Sequence, residues 1–417
     1  MTPPYRTLAK PSSARVADTR PPRPRLEWRA LALAFVAAWS TFNPDTALRY
    51  GAVLCGLIFL SLGHRARIRR ADVLALALTL WTALSLTWAL DPDVALLTLK
   101  NQLAVLAIFL AVRSAVTTSR QLAIVALGYL AGCTYTLYLL VEQNRQTLFV
   151  PELGAGRLGI QGVNFNYMAY ALTTGLVLLV AIWQIHRPGP GLRSLLVLIA
   201  PVLCFGLVKS GSRGAVIGAA LIALWIVAKR IWPGLGAAVP IAAFSIAALA
   251  TFTGWADGAL LVLDHSSTRS TGDLAGRLST WPYAREYVAA HPLEGIGGGG
   301  LRAANPYGIG AHNVPLEVAS GLGIVGLALL TAVVYSALVT ETRSVDPRAR
   351  SLVVGALIVV SGPIILSGHW ELSPSGWLAL ALISRIAVLE PEHGPVGAQV
   401  TEGRSRPWGG RSEEMRR

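Results

Sequence analysis

His312 stands in GIGAHNVPLEVASGLGIVG, where a polar stretch gives way to an apolar run. Histidine is the side chain best suited to take a proton near neutral pH. His265, His291 and His369 compete for that role on composition alone. Asn313 has the type and place of a helix N-cap, with Glu317 one turn further on, and a functional role for Asn313 is an equal alternative. Arg157, Lys209, Arg213 and Arg277 supply cations in separate polar stretches. Arginine stays charged and binds phosphate through planar, bidentate contacts. Brought together, these four side chains would bind an anion, and an anionic lipid headgroup is the plainer occupant. The Gly and Ser residues of KSGSRG (209–214) would leave backbone N–H groups free at the start of the next helix, where the dipole also favours an anion. Asp91 and Asp93 of DPD have the look of a metal-holding acid pair, but two carboxylates flanking a proline in a short loop read first as a turn. GIGGGG (295–300) lacks the preceding strand and following helix of a nucleotide fingerprint, so it reads as a flexible or tightly turned loop. No Walker motif, Ser-x-x-Lys pair or Cys/His cluster is present. The sequence therefore offers no engine for ATP-driven work and points to no metal or cofactor.

The elements that must position these residues are membrane helices. Apolar residues make up 53% of the 417-residue chain and charged residues only 14%, with mean hydropathy +0.53. A soluble domain carries roughly a quarter charged residues. Apolar runs near the bilayer-spanning length recur from end to end, which predicts a polytopic α-helical membrane protein. The runs are continuous and do not alternate, which excludes a β-barrel. A net charge of +14 would suggest nucleic acid in a soluble protein. Here basic loops that orient a membrane protein explain it, and no nucleic-acid partner is expected. Cys55, Cys133 and Cys204 fall inside apolar runs and read as small core residues.

Residues 1–28, rich in Pro, Arg and Ser, predict a disordered tail, and no cleavable signal precedes the first apolar run. Apolar segments follow at 29–42, 46–63, 72–90, 94–113, 121–141, 166–185, 191–208, 214–229, 232–253, 314–339, 351–367 and 374–389, about twelve spans in all. Pro240 and Pro363 are expected to kink their helices, and 390–417 forms an Arg-rich tail. The connections alternate in character. RPRLEWR, HRARIRRAD, RSAVTTSR, HRPGPGLR, KRIW and TRSVDPRAR are basic and predict the cytoplasmic side, with both termini there. NPD, DPD, 142–165, KSGSR, 254–313 and GHWELS then face outward. Lys209 and Arg213 lie outside, where orientation does not need them, as do Arg145, Arg157, Arg269, Arg277, Arg285 and Arg302. Arg49 and Lys100 read as residues that snorkel to the outer headgroups. The stretch 254–313, between the ninth and tenth spans, is long for a plain loop. Within it TGDLAGRLSTWPYAREYVAAHPLEG predicts a helix with Thr280, Tyr283, Ala284, Tyr287 and Val288 on one face, ended by Pro292 and the glycines.

Four stretches, in order, resemble the O-antigen ligase and polymerase superfamily: RLGIQGVNFNYMAYAL, SGSRGAVIG, GRLSTWPYAREYVAAHPLEGIGGG and AHNVPLEVASGLGIVGL. The resemblance covers roughly residues 155–330. It implies a GT-C-like, all-α membrane fold in the bacterial inner membrane, with the active site on the periplasmic face. It also implies transfer of a glycan from undecaprenyl diphosphate to a sugar hydroxyl of lipid A–core, with inversion and without ATP, metal or cofactor. Under the resemblance His312 is the general base, Arg213 and Arg277 clasp the diphosphate, and Arg157 adds to that site. Asn313, Lys209 and Arg285 are accessory candidates. A chain-extending polymerase and a protein O-oligosaccharyltransferase share the motifs and differ in acceptor. A transporter is the rival from another class, but no inverted repeat or matching pair of broken helices supports it.

Overall fold

A computed structural model describes residues 27–148, 158–186, 189–236, 238–255, 257–265, 276–340 and 372–386. The described chain is an all-α polytopic membrane protein. Its helices are α1 (Trp28–Phe42), α2 (Pro44–Thr46), α3 (Ala52–Leu60), α4 (Arg70–Leu84), α5 (Pro92–Ala115), α6 (Ser119–Gln143), α7 (Phe165–His186), α8 (Pro190–Lys209) and α9 (Arg213–Ile231). Then come α10 (Ala238–Thr253), α11 (Asp257–His265), α12 (Arg277–Ala290), α13 (Leu301–Ala304), α14 (Val314–Tyr335) and α15 (Pro374–Ile386). Each apolar segment read from the sequence within the described residues falls on a helix. The segment 351–367 and both tails lie outside the described residues, as does Pro363. Among the described residues six helices are long and apolar enough to cross a membrane, and α1, Phe165–Val180 and α10 are shorter apolar helices.

Polar residues at the corners start these helices. Asp91 caps α5, its Oδ1 accepting the N–H groups of Asp93 and Val94 at 3.1 Å. Pro92 follows at the first helical position, where its missing N–H costs nothing. DPD is thus a helix start, the turn its composition suggested. Thr118 and Gln121 form a reciprocal capping box on α6. Pro240 does not kink α10 as expected: it falls in the first turn, where proline is tolerated. The break in the bundle is instead at Gly323, whose φ of 68° and ψ of −175° interrupt α14.

Within the bundle α1 lies along α6, α3 and α15 pack on α5, α4 packs on α14, and α7 lies between α8 and α9. One large core joins these helices, while Leu60, Leu198, Leu224 and Val53 on their outer faces are exposed, as lipid-facing positions are. A second, smaller core sits at one end, built from Trp281, Ala284, Leu301, Ala311 and Leu316. Successive connections alternate between the two ends. Arg65, Arg67, Arg69 and Arg70 lie where α3 passes into α4, and Lys229 and Arg230 lie in the last turn of α9.

A polar knot beyond the α3–α4 connection was not legible in the sequence. The Arg113 Nε donates to Asp72 Oδ1 at 2.5 Å, and its Nη1 donates to Ser384 Oγ at 2.7 Å. Arg385 Nε donates to Val116 O at 2.8 Å. Asp72 and Arg113 are almost fully buried, so α4, α5 and α15 are held by charges removed from solvent. Removing one partner of such a pair strands the other, a cost of about 3–5 kcal/mol. Asp72→Ala is therefore expected to lower the melting temperature of the detergent-solubilised protein sharply. A melt that overlays wild type would show that the pair contributes nothing.

Candidate active site

The end that carries the small core is shaped by α12 and the turn before α14. α12 begins at Arg277, after Gly276 in a left-handed conformation. Its inward face carries the buried Thr280 and Ala284, with Tyr283 and Tyr287 packed on the same core, as the sequence predicts, and adds Trp281, which is completely buried at its centre. The Trp281 indole N–H donates to Ala311 O at 2.8 Å. The Tyr287 hydroxyl donates to Ala304 O at 2.9 Å, tying the same helix to α13. Arg277 lies one turn before Trp281 on this face, and His312 follows Ala311 in the chain. The two residues therefore flank a single contact.

His312 is the only non-glycine residue with positive φ among those described, at 51°. Asn313 is fully buried and caps α14: its Oδ1 accepts Leu316 N–H at 3.0 Å, while its Nδ2 makes no hydrogen bond. Pro315 and Glu317 complete the first turn. Thus the capping reading of Asn313 holds, and the cap leaves one buried amide donor beside the histidine.

The glycine loop is what seats this turn. Residues 295–300 are tightly turned and packed against the corner between α4 and α5. Leu90 N–H donates to Ile296 O at 3.0 Å, Ile296 N–H to Ser320 O at 2.9 Å, and Gly298 N–H to Ser85 Oγ at 3.2 Å. Backbone at membrane depth must find partners inside the protein. At the break in α14 it does: Trp81 Nε1 donates to Leu322 O at 2.8 Å, and Ile324 N–H donates to Pro292 O at 2.8 Å.

A second group lies at the corner between α8 and α9, on the same end of the bundle. Lys209 Nζ donates to Leu148 O at 2.7 Å, and Leu158 N–H donates to Lys209 O at 3.3 Å. Lys209 thus straps the 142–148 turn and residue 158 to the KSGSRG corner. Arg213 is the first residue of α9, after the buried Ser210 and Ser212. Arg157 lies outside the described residues, next to the strapped Leu158. Nearby, Phe42, Asn43, Asp45, Arg49, Tyr50 and Gln161 help line a cleft of ≈ 320 Å³. Arg285 has a different setting: its guanidinium pairs with Asp257 at 2.7 Å and donates to Thr251 O at 2.9 Å, fastening α12 to α10 and α11. Of the competing histidines, His291 is an exposed residue at the end of α12, 3.4 Å from Glu294, and His369 lies outside the described residues.

Sequence reasoning passed over two residues of this site. Trp281 was left out of a face that was otherwise drawn correctly at Thr280, Tyr283, Ala284 and Tyr287. Glu317 was read only as part of a cap, although a carboxylate five residues after a histidine and inside an apolar run is itself a signal. Glu317 is buried in the first turn of α14, its carboxyl packed against Gly310.

The described chain is a polytopic helical membrane protein with Lys209 and Arg213 at the corner between α8 and α9 and Arg277 and the left-handed His312 beside the Trp281–Ala311 contact. A family profile described as O-antigen ligase matches residues 195–331, from α8 into α14. The match covers about a third of the chain, and over those residues the sequence is similar to that family. No curated protein matches the chain.

Proposed function

We propose that this protein transfers a glycan from undecaprenyl diphosphate to a sugar hydroxyl of lipid A–core, at the periplasmic face of the bacterial inner membrane. The observation that carries this reading is the extent of the O-antigen ligase match: residues 195–331 include Arg213 at one corner and Arg277 and His312 at the other. His312 takes the proton of the acceptor hydroxyl as its oxygen attacks the anomeric carbon. The bond from that carbon to the diphosphate oxygen breaks, and its electron pair leaves with the diphosphate. Arg213 and Arg277, joined by Arg157, take up the charge that develops there, and fixed cations placed where charge appears lower the barrier. Attack opposite the leaving group inverts the anomeric centre. The leaving diphosphate supplies the driving force, so neither ATP nor a metal is required. Lipid tails of donor and acceptor lie against the apolar helix faces.

The test is a mixture of purified protein, a lipid-diphosphate glycan and three acceptors: lipid A–core, a second lipid-linked glycan and a serine-containing peptide. Lipid A–core is expected to gain the mass of the glycan, equally well with EDTA present. Mass gain only on the second lipid-linked glycan would make the protein a polymerase, and gain only on the peptide a protein glycosyltransferase. Uptake into vesicles without any transfer would make it a transporter.

A further inference from the structure

The cleft at the end of α1 is not used by the proposed chemistry. Its volume of ≈ 320 Å³ lies at the lower end of the range for small-molecule sites, about 300–1,000 Å³. Phe42 and Asp45 line it from the corner between α1 and α2. Arg49 and Tyr50 line it from Ala47–Gly51, where the backbone widens into a π-helical turn before α3. Such turns are rare and are frequent at functional sites. Gln161 to Val163 complete the lining from the turn before α7. That turn is held in place. Gln161 N–H donates to Gln143 Oε1 at 2.7 Å, and Gly159 O accepts Asn144 Nδ2 at 3.0 Å. Leu158 N–H donates to Lys209 O at 3.3 Å, which ties the turn to the corner that carries Arg213.

The charges decide what the cleft can hold. Asp45 and Arg49 are exposed and stand one turn apart, a spacing at which opposite charges ordinarily pair. Among the described residues neither side chain makes a hydrogen bond or an ion pair. A phosphate would be drawn to Arg49 and repelled by Asp45. A neutral ligand rich in hydroxyls suits both, because the guanidinium donates and the carboxylate accepts, each from a planar group that spans two neighbouring hydroxyls. The Gln161 amide offers a donor and an acceptor more. Tyr50, 67% exposed, and Phe42 supply aromatic rings against which the C–H face of a sugar ring can pack.

We infer that this cleft binds a sugar ring of a glycan substrate, with Asp45, Arg49 and Gln161 on its hydroxyls and an aromatic ring against its face. The inference deepens the proposed reaction and rests on it for the source of the sugar, the donor glycan or the acceptor core. Through the 158–163 turn the bound ring stays in fixed register with the Arg213 corner.

The test does not require transfer. Two lipid-free probes are titrated into purified protein by saturation-transfer NMR: core oligosaccharide cut from the lipopolysaccharide of the cells that carry this protein, and glycan released from its lipid diphosphate. At least one is expected to bind wild type. Arg49→Leu and Asp45→Ala are each expected to weaken that binding by about tenfold, the loss of one hydrogen bond to a charged group, while melting like wild type. The probe that responds names the source. No binding of either probe to wild type, or equal binding by wild type and both variants, overturns the inference whether or not the protein transfers glycan. A lipid headgroup carrying both charges is the rival occupant. Mass spectrometry of protein released from phosphatidylethanolamine nanodiscs checks it: a lipid kept by wild type and lost by Arg49→Leu, with sugar binding unchanged, overturns the inference as well. In the transfer assay Arg49→Leu is expected to raise KM for the same substrate by about tenfold with kcat within about twofold, the mark of lost binding and not of lost chemistry. Absence of transfer by wild type on every acceptor, with sugar binding intact, overturns the proposed reaction alone.

Discussion

His312→Asn is expected to lose glycan transfer by about 10²–10⁴-fold, the usual contribution of a placed general base. Asparagine is the informative replacement. His312 sits at φ 51°, and Asn is among the few side-chain-bearing residues that tolerate that region. The turn, the Trp281 bond to Ala311 O and the Asn313 cap should survive the change. Only the imidazole goes. His312→Ala removes the imidazole too but adds backbone strain, so it should melt at a lower temperature for the same loss of rate. Arg213→Ala is expected to reduce transfer by about 10²–10³-fold through charge left unmet on the diphosphate. The comparison to make is initial rate in proteoliposomes beside thermal melting in detergent. If His312→Asn melts like wild type and transfers within about tenfold of it, the base is another group and the assignment fails.

Much of the fold could be read from the chain because hydropathy acts over one helix at a time. Runs of apolar residues with polar corners are local, and the described helices fall where those runs do. The start of α5 at DPD and the cap at Asn313 are local in the same sense. What could not be read is what depends on distant partners. Asp72 and Arg113 look like loop-edge charges until α4 and α5 pack and bury them against each other. Glu317 looks like a capping residue until Gly310 closes over it. Arg285 looks like its neighbour Arg277, yet it is spent on Asp257 because α11 happens to pass there. The face of α12 was legible at Thr280, Tyr283, Ala284 and Tyr287, and what only packing decides is that the Trp281 ring beside it goes fully inside. Kinks were expected at Pro240 and Pro363, and a break in α14 was not foreseen. It falls at a glycine because the requirement is a left-handed backbone, not a lost donor.

That break leads to the largest structural effect expected of a single methyl group. A Cβ on Gly323 would stand 1.9 Å from Leu293 O and 2.6 Å from Glu294 N, and the residue has φ 68°. Gly323→Ala thus combines a backbone clash with a conformation that L side chains avoid, together about 3–5 kcal/mol. The loop that must move aside is the one that receives Leu90 N–H at Ile296 O and donates Ile296 N–H to Ser320 O. Relief by shifting it would uncouple the first half of α14, with His312 and Asn313 at its head, from the α4–α5 corner. Relief by straightening α14 would take Leu322 O from Trp81 and Ile324 N–H from Pro292 O. Either route displaces the histidine, so transfer should fall together with stability. Gly56→Ala in α3 is the matched control: nothing lies within 4 Å of the added methyl, and a helical glycine replaced by alanine gains about 0.5–1 kcal/mol. Gly56→Ala should therefore melt at or slightly above wild type and transfer at its rate, while Gly323→Ala falls in both. A Gly323→Ala protein that melts within about 2 °C of wild type and transfers at the normal rate would mean that the break in α14 does not hold the histidine in place.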